Sequence, residues 1–213
     1  MAAPSEPRTL VMHGLRLKGF AEPAAVADAV DVDEQAAKSL LDDLVAEGLA
    51  SYREGRMSGF TLTPAGRTEH ARLLSEELAR HAVREAITAA YRRFLTRNQD
   101  LLGVCTAWQL REDDPSGEPV INDHSDPAYD AAVIERLGEI DTWIQPVCAE
   151  LASSLARYAG YGPRLTHALE RLRAGESDWF TKPMIPSYHT IWFELHEDLL
   201  ATLGIERGQE EVL

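Results

Sequence analysis

The chain has 213 residues, of which 45% are hydrophobic, and a formal net charge of −14 at neutral pH. This length allows two small domains, and this share of apolar side chains argues against extensive disorder. The negative charge argues against a general polyanion binder, because affinity for nucleic acid depends largely on lysine and arginine contacts to phosphates.

The cellular compartment is predicted from sequence signals that are missing. There is no run of about 18 apolar residues that would indicate a membrane span, and residues 1–7 lack the basic and apolar regions of a signal peptide. Cys105 and Cys148 have no metal-like spacing. We therefore expect a cytoplasmic protein without membrane contact. Its thiols would be reduced, with a disulfide between the two cysteines as the alternative.

The sequence up to residue 48 predicts a flexible lead followed by three helices. These segments are residues 1–8 for the lead and residues 9–18, 23–30 and about 32–47 for the helices. Asp31 and Glu34 suit the two positions of a capping box at the start of the third helix. An apolar stripe at helical spacing predicts the buried face of that helix, and its members are Leu40, Leu41, Leu44 and Val45.

Residues 49–66 predict a β-hairpin followed by the start of a helix. Two alternating segments flank residues 55–59, which carry a glycine at each end. This pattern is typical of two strands joined by a loop of about 3–5 residues. Thr63 can accept a hydrogen bond from the next helix, and Pro64 suits its first turn. A hairpin after three helices indicates a winged helix, here over residues 9–66.

This region resembles the MarR-type winged-helix transcriptional regulators. The matching residues are Leu40-Leu41-Asp42-Asp43-Leu44-Val45-Ala46-Glu47-Gly48-Leu49, then Arg53, Arg56 and Leu62-Thr63-Pro64-Ala65-Gly66. The resemblance covers roughly residues 9–74. It implies a transcriptional regulator that binds DNA as a homodimer, with dimerisation through helices that flank the winged domain.

The third helix and the hairpin carry the side chains expected to contact DNA. On the helix, Gln35 suits adenine, Lys38 suits guanine and Ser39 suits either base. A basic stripe beside the helix would come from Arg53, Arg56 and Arg67.

Local charge along the same helices indicates a different partner. Between residues 22 and 47, eight acidic residues accompany a single basic residue, Lys38. Winged helices also serve as protein-interaction modules. A winged helix that contacts protein instead of DNA is therefore the alternative prediction.

The region from Pro64 to about residue 100 predicts nearly continuous helix. A single helix of this length would span about 55 Å at 1.5 Å per residue, which exceeds what one small domain covers. The helix therefore either breaks or links two domains and packs on a partner subunit. We assign residues 67–103 to a linker and dimerisation helix, with packing inside one subunit as the alternative.

Residues 104–213 predict a helical bundle without a clear strand pattern, which makes the whole chain mainly α. The predicted helices cover residues 126–140, 143–158, 163–173 and 187–203, and residues 111–120 are predicted as a loop. Pro146 would lie in the first turn of its helix or kink that helix.

Two patches in this bundle predict a ligand pocket. One precedes a helix N-terminus, which favours anions, and the other places aromatic and histidine side chains on one helical face. The candidate pocket residues are Asn122, Asp123, His124, Tyr188, His189, Trp192 and His196. A polar loop with local caps and a core face with hydrogen-bonded histidines are the alternatives. Because no metal-ligand spacing, nucleophile elbow or phosphate loop is present, we expect no metal, no cofactor and no enzyme activity.

Two strings in this half resemble a region found with winged helices in actinobacterial proteins, some of them linked to phosphoenolpyruvate-utilising enzymes. The strings are Asn122-Asp123-His124-Ser125-Asp126-Pro127-Ala128-Tyr129-Asp130 and Ser187-Tyr188-His189-Thr190-Ile191-Trp192-Phe193-Glu194-Leu195-His196-Glu197-Asp198-Leu199-Leu200. This resemblance implies an accessory module that regulates or docks such an enzyme. The preferred prediction is a homodimeric regulator on double-stranded DNA whose C-terminal domain senses a small-molecule effector or a partner.

Overall fold

The computed structural model describes residues 2–111 and 118–208, which form a mainly helical, winged-helix-like fold. The predicted mainly α class is confirmed. The chain divides into two compact units. Of the described residues, the first unit contains those up to Glu85, the segment Ser154–Arg157 and those from Glu197 onward. The second contains those between Ala86 and Ser153 and the segment Tyr158–His196. Two later segments thus belong to the first unit, and the predicted domain boundaries at residues 66 and 103 stay predictions.

The first unit contains the three helices and the hairpin of the winged helix. Its first six elements are α1 (Pro7–Lys18), α2 (Pro23–Val30), α3 (Glu34–Ala46), β1 (Ala50–Arg53), β2 (Gly59–Leu62) and α4 (Pro64–His81). Three of these helices begin with proline, whose fixed φ suits the first turn and whose missing N–H needs no partner there.

Side-chain caps fix where two of these helices begin. The Thr63 hydroxyl accepts a hydrogen bond from the Gly66 amide at 3.0 Å, as predicted. The predicted cap at Asp31 is wrong, because Asp33 accepts from the Ala36 amide at 2.9 Å and is the N-cap of α3. Asp31 instead ends α2 with a left-handed φ of 52°, which aspartate tolerates better than most residues.

Strands β1 and β2 pair antiparallel, with Tyr52 opposite Phe60. Two glycines allow the hairpin to pack closely on its surroundings. A Cβ on Gly59 would lie 2.8 Å from the Phe20 ring, and a Cβ on Gly66 would lie 1.8 Å from the Leu49 carbonyl oxygen. Gly66 therefore lets the first turn of α4 sit directly against the residue that precedes β1.

The core of the winged helix is formed by the apolar stripes of its helices and the inner face of the hairpin. Helix α1 packs against α2, α3, α4 and β2. The buried residues are Val11, Met12, Leu15, Ala21, Val26, Ala27, Ala37, Leu41, Leu44, Ala50, Phe60 and Leu62. On α3, Leu41 and Leu44 are buried while Val45 is 36% exposed, so the predicted apolar stripe is only partly a core face.

The predicted flexible lead is wrong for the residues that the structure describes there. The Ala3 amide donates to the Ser154 carbonyl at 3.2 Å, and the Ala156 amide donates to the Ala3 carbonyl at 2.9 Å. Helix α1 already begins at Pro7. Backbone pairing with a returning segment of the first unit thus fixes the lead.

The predicted long helix after the hairpin breaks into two helices, one of the two outcomes that the sequence left open. Helix α4 ends at His81, and α5 (Arg84–Gln109) begins two residues after Ala82. Ala82 has a left-handed φ of 53°, and the Val83 amide donates back to the Leu78 carbonyl at 3.2 Å. This 6→1 hydrogen bond is that of a Schellman helix end.

The second unit is built mainly from helices. Its remaining elements, some of which extend into the first unit, are β3 (Leu110–Arg111), β4 (Val120–Ile121), α6 (Pro127–Ser154), a 3₁₀ turn (Ala156–Gly160), α7 (Tyr161–Arg173), α8 (Asp178–Thr181) and α9 (Tyr188–Leu203). The expectation of a bundle without strands is wrong in one detail, because β3 and β4 pair antiparallel. The predicted loop at residues 111–120 lies partly outside the described residues.

Two predicted helices of this unit form one helix. Helix α6 runs for 28 residues with Pro146 inside it. Of the two alternatives for Pro146, the first turn of a helix is therefore wrong, and a kink within a helix stays a prediction. A proline inside a helix costs about 3 kcal/mol. Burial of Leu137, Ile144, Val147 and Leu151 along α6 offsets this cost.

Among residues 2–111 and 118–208, no helix is both long and apolar enough to cross a membrane.

Candidate interaction surface

The predicted DNA-reading residues of α3 lie on its exposed side. Gln35, Lys38 and Ser39 are all exposed. The Lys38 ammonium, however, forms a salt bridge with the Asp42 carboxylate at 2.6 Å, one helical turn further along. The only basic side chain of α3 is therefore held by an acid on the same helix.

The predicted basic stripe is placed on the hairpin and at the start of α4. Arg53 lies over the Phe20 ring, 4.8 Å from its centroid, and Arg56 is exposed in the hairpin loop. The Arg67 guanidinium donates to the Leu62 carbonyl at 3.1 Å. Two of the three arginines thus have partners within the first unit.

A groove of about 620 Å³ lies between α3 and the hairpin. We call it the helix–hairpin groove. Its lining residues are Glu22, Pro23, Glu34, Lys38, Asp42, Val45, Tyr52 and Phe60. All of them belong to the winged helix.

The floor of the helix–hairpin groove is apolar. Tyr52 and Phe60 form a cross-strand pair with ring centroids 4.8 Å apart. Phe60 is buried, whereas Tyr52 is 49% exposed and Val45 is 36% exposed. The groove thus offers a partly uncovered aromatic and aliphatic surface.

The rim of the helix–hairpin groove is acidic. Glu34, Lys38 and Asp42 follow one another at four-residue spacing along α3, and Glu22 faces them from the start of α2. The Ser58 hydroxyl donates to Glu22 Oε1 at 2.6 Å and so holds that carboxylate beside the hairpin. Three carboxylates against one ammonium give the lining a formal charge of −2.

The first patch of the predicted ligand pocket forms a local network in the second unit. The side-chain amide of Asn122 donates to the Trp108 carbonyl at 3.1 Å and to Asp130 Oδ1 at 2.8 Å. His124 has a left-handed φ of 60°, and its ring centroid lies 4.4 Å from that of Trp108 at a tilt of 41°. Its Nδ1 lies 2.9 Å from Asp130 Oδ2. The Asp123 carboxylate accepts from the Ser125 side chain and amide, which lower its pKa. These contacts are those of a polar loop held by its own side chains.

The second patch is built into the core of the second unit. The Tyr188 hydroxyl donates to Asp141 Oδ1 at 3.2 Å, and burial raises the Tyr188 pKa well above its usual value. The Trp192 indole donates to Asn98 Oδ1 at 3.0 Å. His196 is buried with its ring 5.2 Å from that of Phe94.

His189 is the half-buried member of this second patch, and burial lowers its pKa. A ligand pocket at the two patches remains a prediction. The contacts of Asn122, Tyr188, Trp192 and His196 are those of packed side chains.

A second polar feature of the first unit is a buried ionic cluster, formed by His13, His70, Glu77, Arg157 and Asp198. His13 Nδ1 lies 3.1 Å from His70 Nε2, and His13 Nε2 lies 3.0 Å from Asp198 Oδ1. The Arg157 guanidinium pairs with Glu77. All five side chains are at most 5% exposed. The cluster therefore joins α1, α4 and both returning segments within the first unit.

His70 is the member of this cluster whose pKa is strongly shifted. Burial lowers the pKa of His70 to about 3, and repulsion from His13, Arg16 and Arg157 acts in the same direction. His70 is therefore neutral at physiological pH. We assign the cluster a role in holding the first unit together.

The described residues offer no group of three or more histidine, cysteine, aspartate and glutamate side chains placed to hold a metal ion. Cys105 and Cys148 are free and buried, and burial raises the pKa of each thiol to about 12. Neither is suited to thiolate chemistry.

Sequence reasoning missed the apolar floor of the helix–hairpin groove. The sequence assigns Val45 to the apolar stripe of α3 and does not single out Tyr52. The signal that identifies the floor is the register, which places Tyr52 opposite Phe60. The sequence shows Glu22 and Glu34 as acidic residues but does not place them at one groove.

Comparison with known proteins adds no family assignment. No family model matches the chain, and neither the curated proteins nor the solved structures gave a match.

Proposed function

We propose that this protein is a winged-helix regulatory module that binds another protein through the exposed face of α3 and the hairpin. The observation that carries the proposal is the excess of carboxylates around Lys38. Lys38 is the only basic side chain of α3, it is paired with Asp42, and it lies in a groove with two further carboxylates. A partner that presents cations and apolar surface suits this face better than one that presents phosphates.

Electrostatics supports this choice of partner. DNA affinity rises with the number of phosphates that lysine and arginine neutralise, and carboxylates near a phosphate oppose it. The N-terminal turn of α3 would meet DNA with Asp33 and Glu34, both exposed. Winged helices that dock proteins need no such positive face.

The C-terminal half suggests what kind of protein the partner is. Its resemblance to a region linked to phosphoenolpyruvate-utilising enzymes favours an enzyme of that type. The module would then regulate or dock that enzyme without taking part in its chemistry.

The second candidate function is transcriptional regulation by a homodimer on double-stranded DNA. The observation that favours it is the hairpin, where Arg53 and Arg56 are both exposed at a position that suits contact with a DNA backbone. In this case the second unit would sense an effector.

Titration with DNA separates the two candidates. A fluorescent duplex from upstream of the protein's own coding sequence is compared with a scrambled duplex by anisotropy at several salt concentrations. We expect the wild-type protein to bind both weakly and equally. A preference for the upstream duplex that falls steeply with salt and disappears in Arg56→Ala would overturn the protein-docking proposal.

A matched pair of variants tests the electrostatic reason. Lys38–Asp42 and Lys182–Asp178 are both exposed lysine–aspartate pairs at i,i+4 spacing. Asp42→Lys is expected to gain duplex affinity with a salt slope steeper by about one unit, the effect of one added phosphate contact. Asp178→Lys is the control for net charge alone. Equal gains in the two variants would show that the α3 face has no special role.

A further inference from the structure

We infer that the helix–hairpin groove receives a cationic segment of a partner protein that inserts one aromatic or long aliphatic side chain beside Tyr52. This inference rests on the proposed function and specifies the chemistry of its partner. Its three components are the space in the groove, the apolar floor and the acidic rim.

The space and the floor define the anchor. The groove has about 620 Å³ of volume. Tyr52 and Val45 keep 49% and 36% of their surfaces exposed beside the buried Phe60. An apolar side chain seated here would cover both exposed surfaces and stack on an existing aromatic pair, which prefers offset or edge-to-face neighbours. Anchors of this type supply most of the affinity at protein interfaces.

The rim defines what flanks the anchor. Glu22, the N-cap residue of α2, and Glu34, in the first turn of α3, line the groove from two different helices. The side chains of Lys38 and Asp42 are each about half exposed, and salt bridges between exposed side chains are weak. An incoming arginine can therefore replace Lys38 as the partner of Asp42 and bind the carboxylate through two hydrogen bonds. The segment is thus expected to carry arginine or lysine on both sides of its anchor.

A displayed library of random 12-residue peptides, selected against the full-length protein, provides the probe. We expect the selected peptides to share an aromatic or leucine residue flanked by arginine or lysine. The strongest peptide is then synthesised, and its dissociation constant is measured by anisotropy with the wild-type protein and with variants.

The variants tie binding to the groove. Tyr52→Ala is expected to weaken binding about ten-fold or more by removing the floor, and Tyr52→Phe is expected to retain it. Asp42→Lys is expected to weaken binding at low salt, whereas the matched control Asp178→Lys is not. Circular dichroism shows whether each variant is folded. If Tyr52→Ala does not fold, the comparison of Asp42→Lys with Asp178→Lys still tests the groove.

Three results would overturn the inference. They are the absence of enriched peptides, enrichment of acidic peptides, and binding that is unchanged in both Tyr52→Ala and Asp42→Lys. If these peptide tests fail and the protein shows no preference for the upstream duplex, the proposed function stands, but the helix–hairpin groove is not its site. A specific DNA complex instead removes the proposed function itself.

Discussion

Acidification is predicted to destabilise the first unit through His70. The imidazole lies inside the buried ionic cluster with its Nε2 3.1 Å from His13 Nδ1. Burial, then His13 and then the nearby arginines disfavour a second positive charge there, and they lower the pKa of His70 to about 3 from the ordinary 6.5. In the unfolded chain, the same side chain regains its ordinary pKa.

The sign and size of the effect follow from this difference in pKa. Below pH 6.5 the unfolded state binds a proton that the folded state does not bind, so stability falls as the pH falls, and the loss continues down to about pH 3. Each pH unit in this range costs about 1.4 kcal/mol. Between pH 7 and pH 5, His70 alone should remove about 2 kcal/mol from the free energy of unfolding.

Urea unfolding at the two pH values measures this loss. All four tryptophans belong to the second unit, so the first unit is better followed by the methyl resonances of Leu15 and Leu41. His70→Gln is the control, since glutamine does not titrate. We expect the wild-type protein to lose about 2 kcal/mol more than the variant. Equal losses, or a folded-state His70 that titrates near pH 6.5 by NMR, would refute the reasoning.

Three further predictions concern the packing of the chain. Gly66→Ala should prevent stable folding of the winged helix, because the added Cβ would lie 1.8 Å from the Leu49 carbonyl oxygen. Gly103 in α5 has open space around it, so Gly103→Ala should raise the free energy of unfolding by about 0.5–1 kcal/mol, measured by thermal unfolding. Arg157→Met should cost about 3–5 kcal/mol in chemical unfolding, because it leaves the carboxylates of the ionic cluster buried without their guanidinium. A loss below about 1 kcal/mol would show that the cluster is solvated. Both cysteines should resist a thiol reagent in the native protein and react only after unfolding, and fast labelling at neutral pH would contradict their burial.

The winged helix could be predicted because its local signals agree with its packing. Thr63 and Pro64 together mark the start of α4, and the structure confirms the cap at the predicted position. The glycines at the two ends of the hairpin loop likewise predict a pair of strands, and β1 and β2 pair antiparallel around that loop. Where capping, turn and periodicity indicate the same structure, tertiary contacts have little to override.

The helix boundaries that the sequence misplaces or leaves open are those where tertiary packing overrides local preference. The left-handed Ala82 ends α4, although alanine has the highest helix propensity and glycine is the usual residue at such a position. At Pro146, packing instead keeps a helix intact. Burial of one face of α6 outweighs the cost of a proline inside that helix. Asp31 and Asp33 are both good caps by residue type, and only the path of the chain decides between them.

The candidate surface could be predicted only in part. The sequence identifies α3 and the hairpin as the exposed recognition elements, and Lys38 is visibly alone among acids. The Lys38–Asp42 pair lies at i,i+4 spacing, which the predicted helix already places on one face. The sequence does not reveal that Val45 and Tyr52 remain uncovered beside Phe60. Their exposure depends on the register of the hairpin and on its distance from α3, neither of which periodicity determines.

Photo-crosslinking from α3 in living cells tests the central claim most directly. A photoreactive amino acid replaces Ser39, which is exposed on α3, and a second version replaces the exposed Gln99 of the other unit as a control. We predict an adduct from position 39 that resists nuclease and contains a second protein, and no such adduct from position 99. An adduct from position 39 that nuclease removes would show that this face lies on DNA and would contradict the proposal.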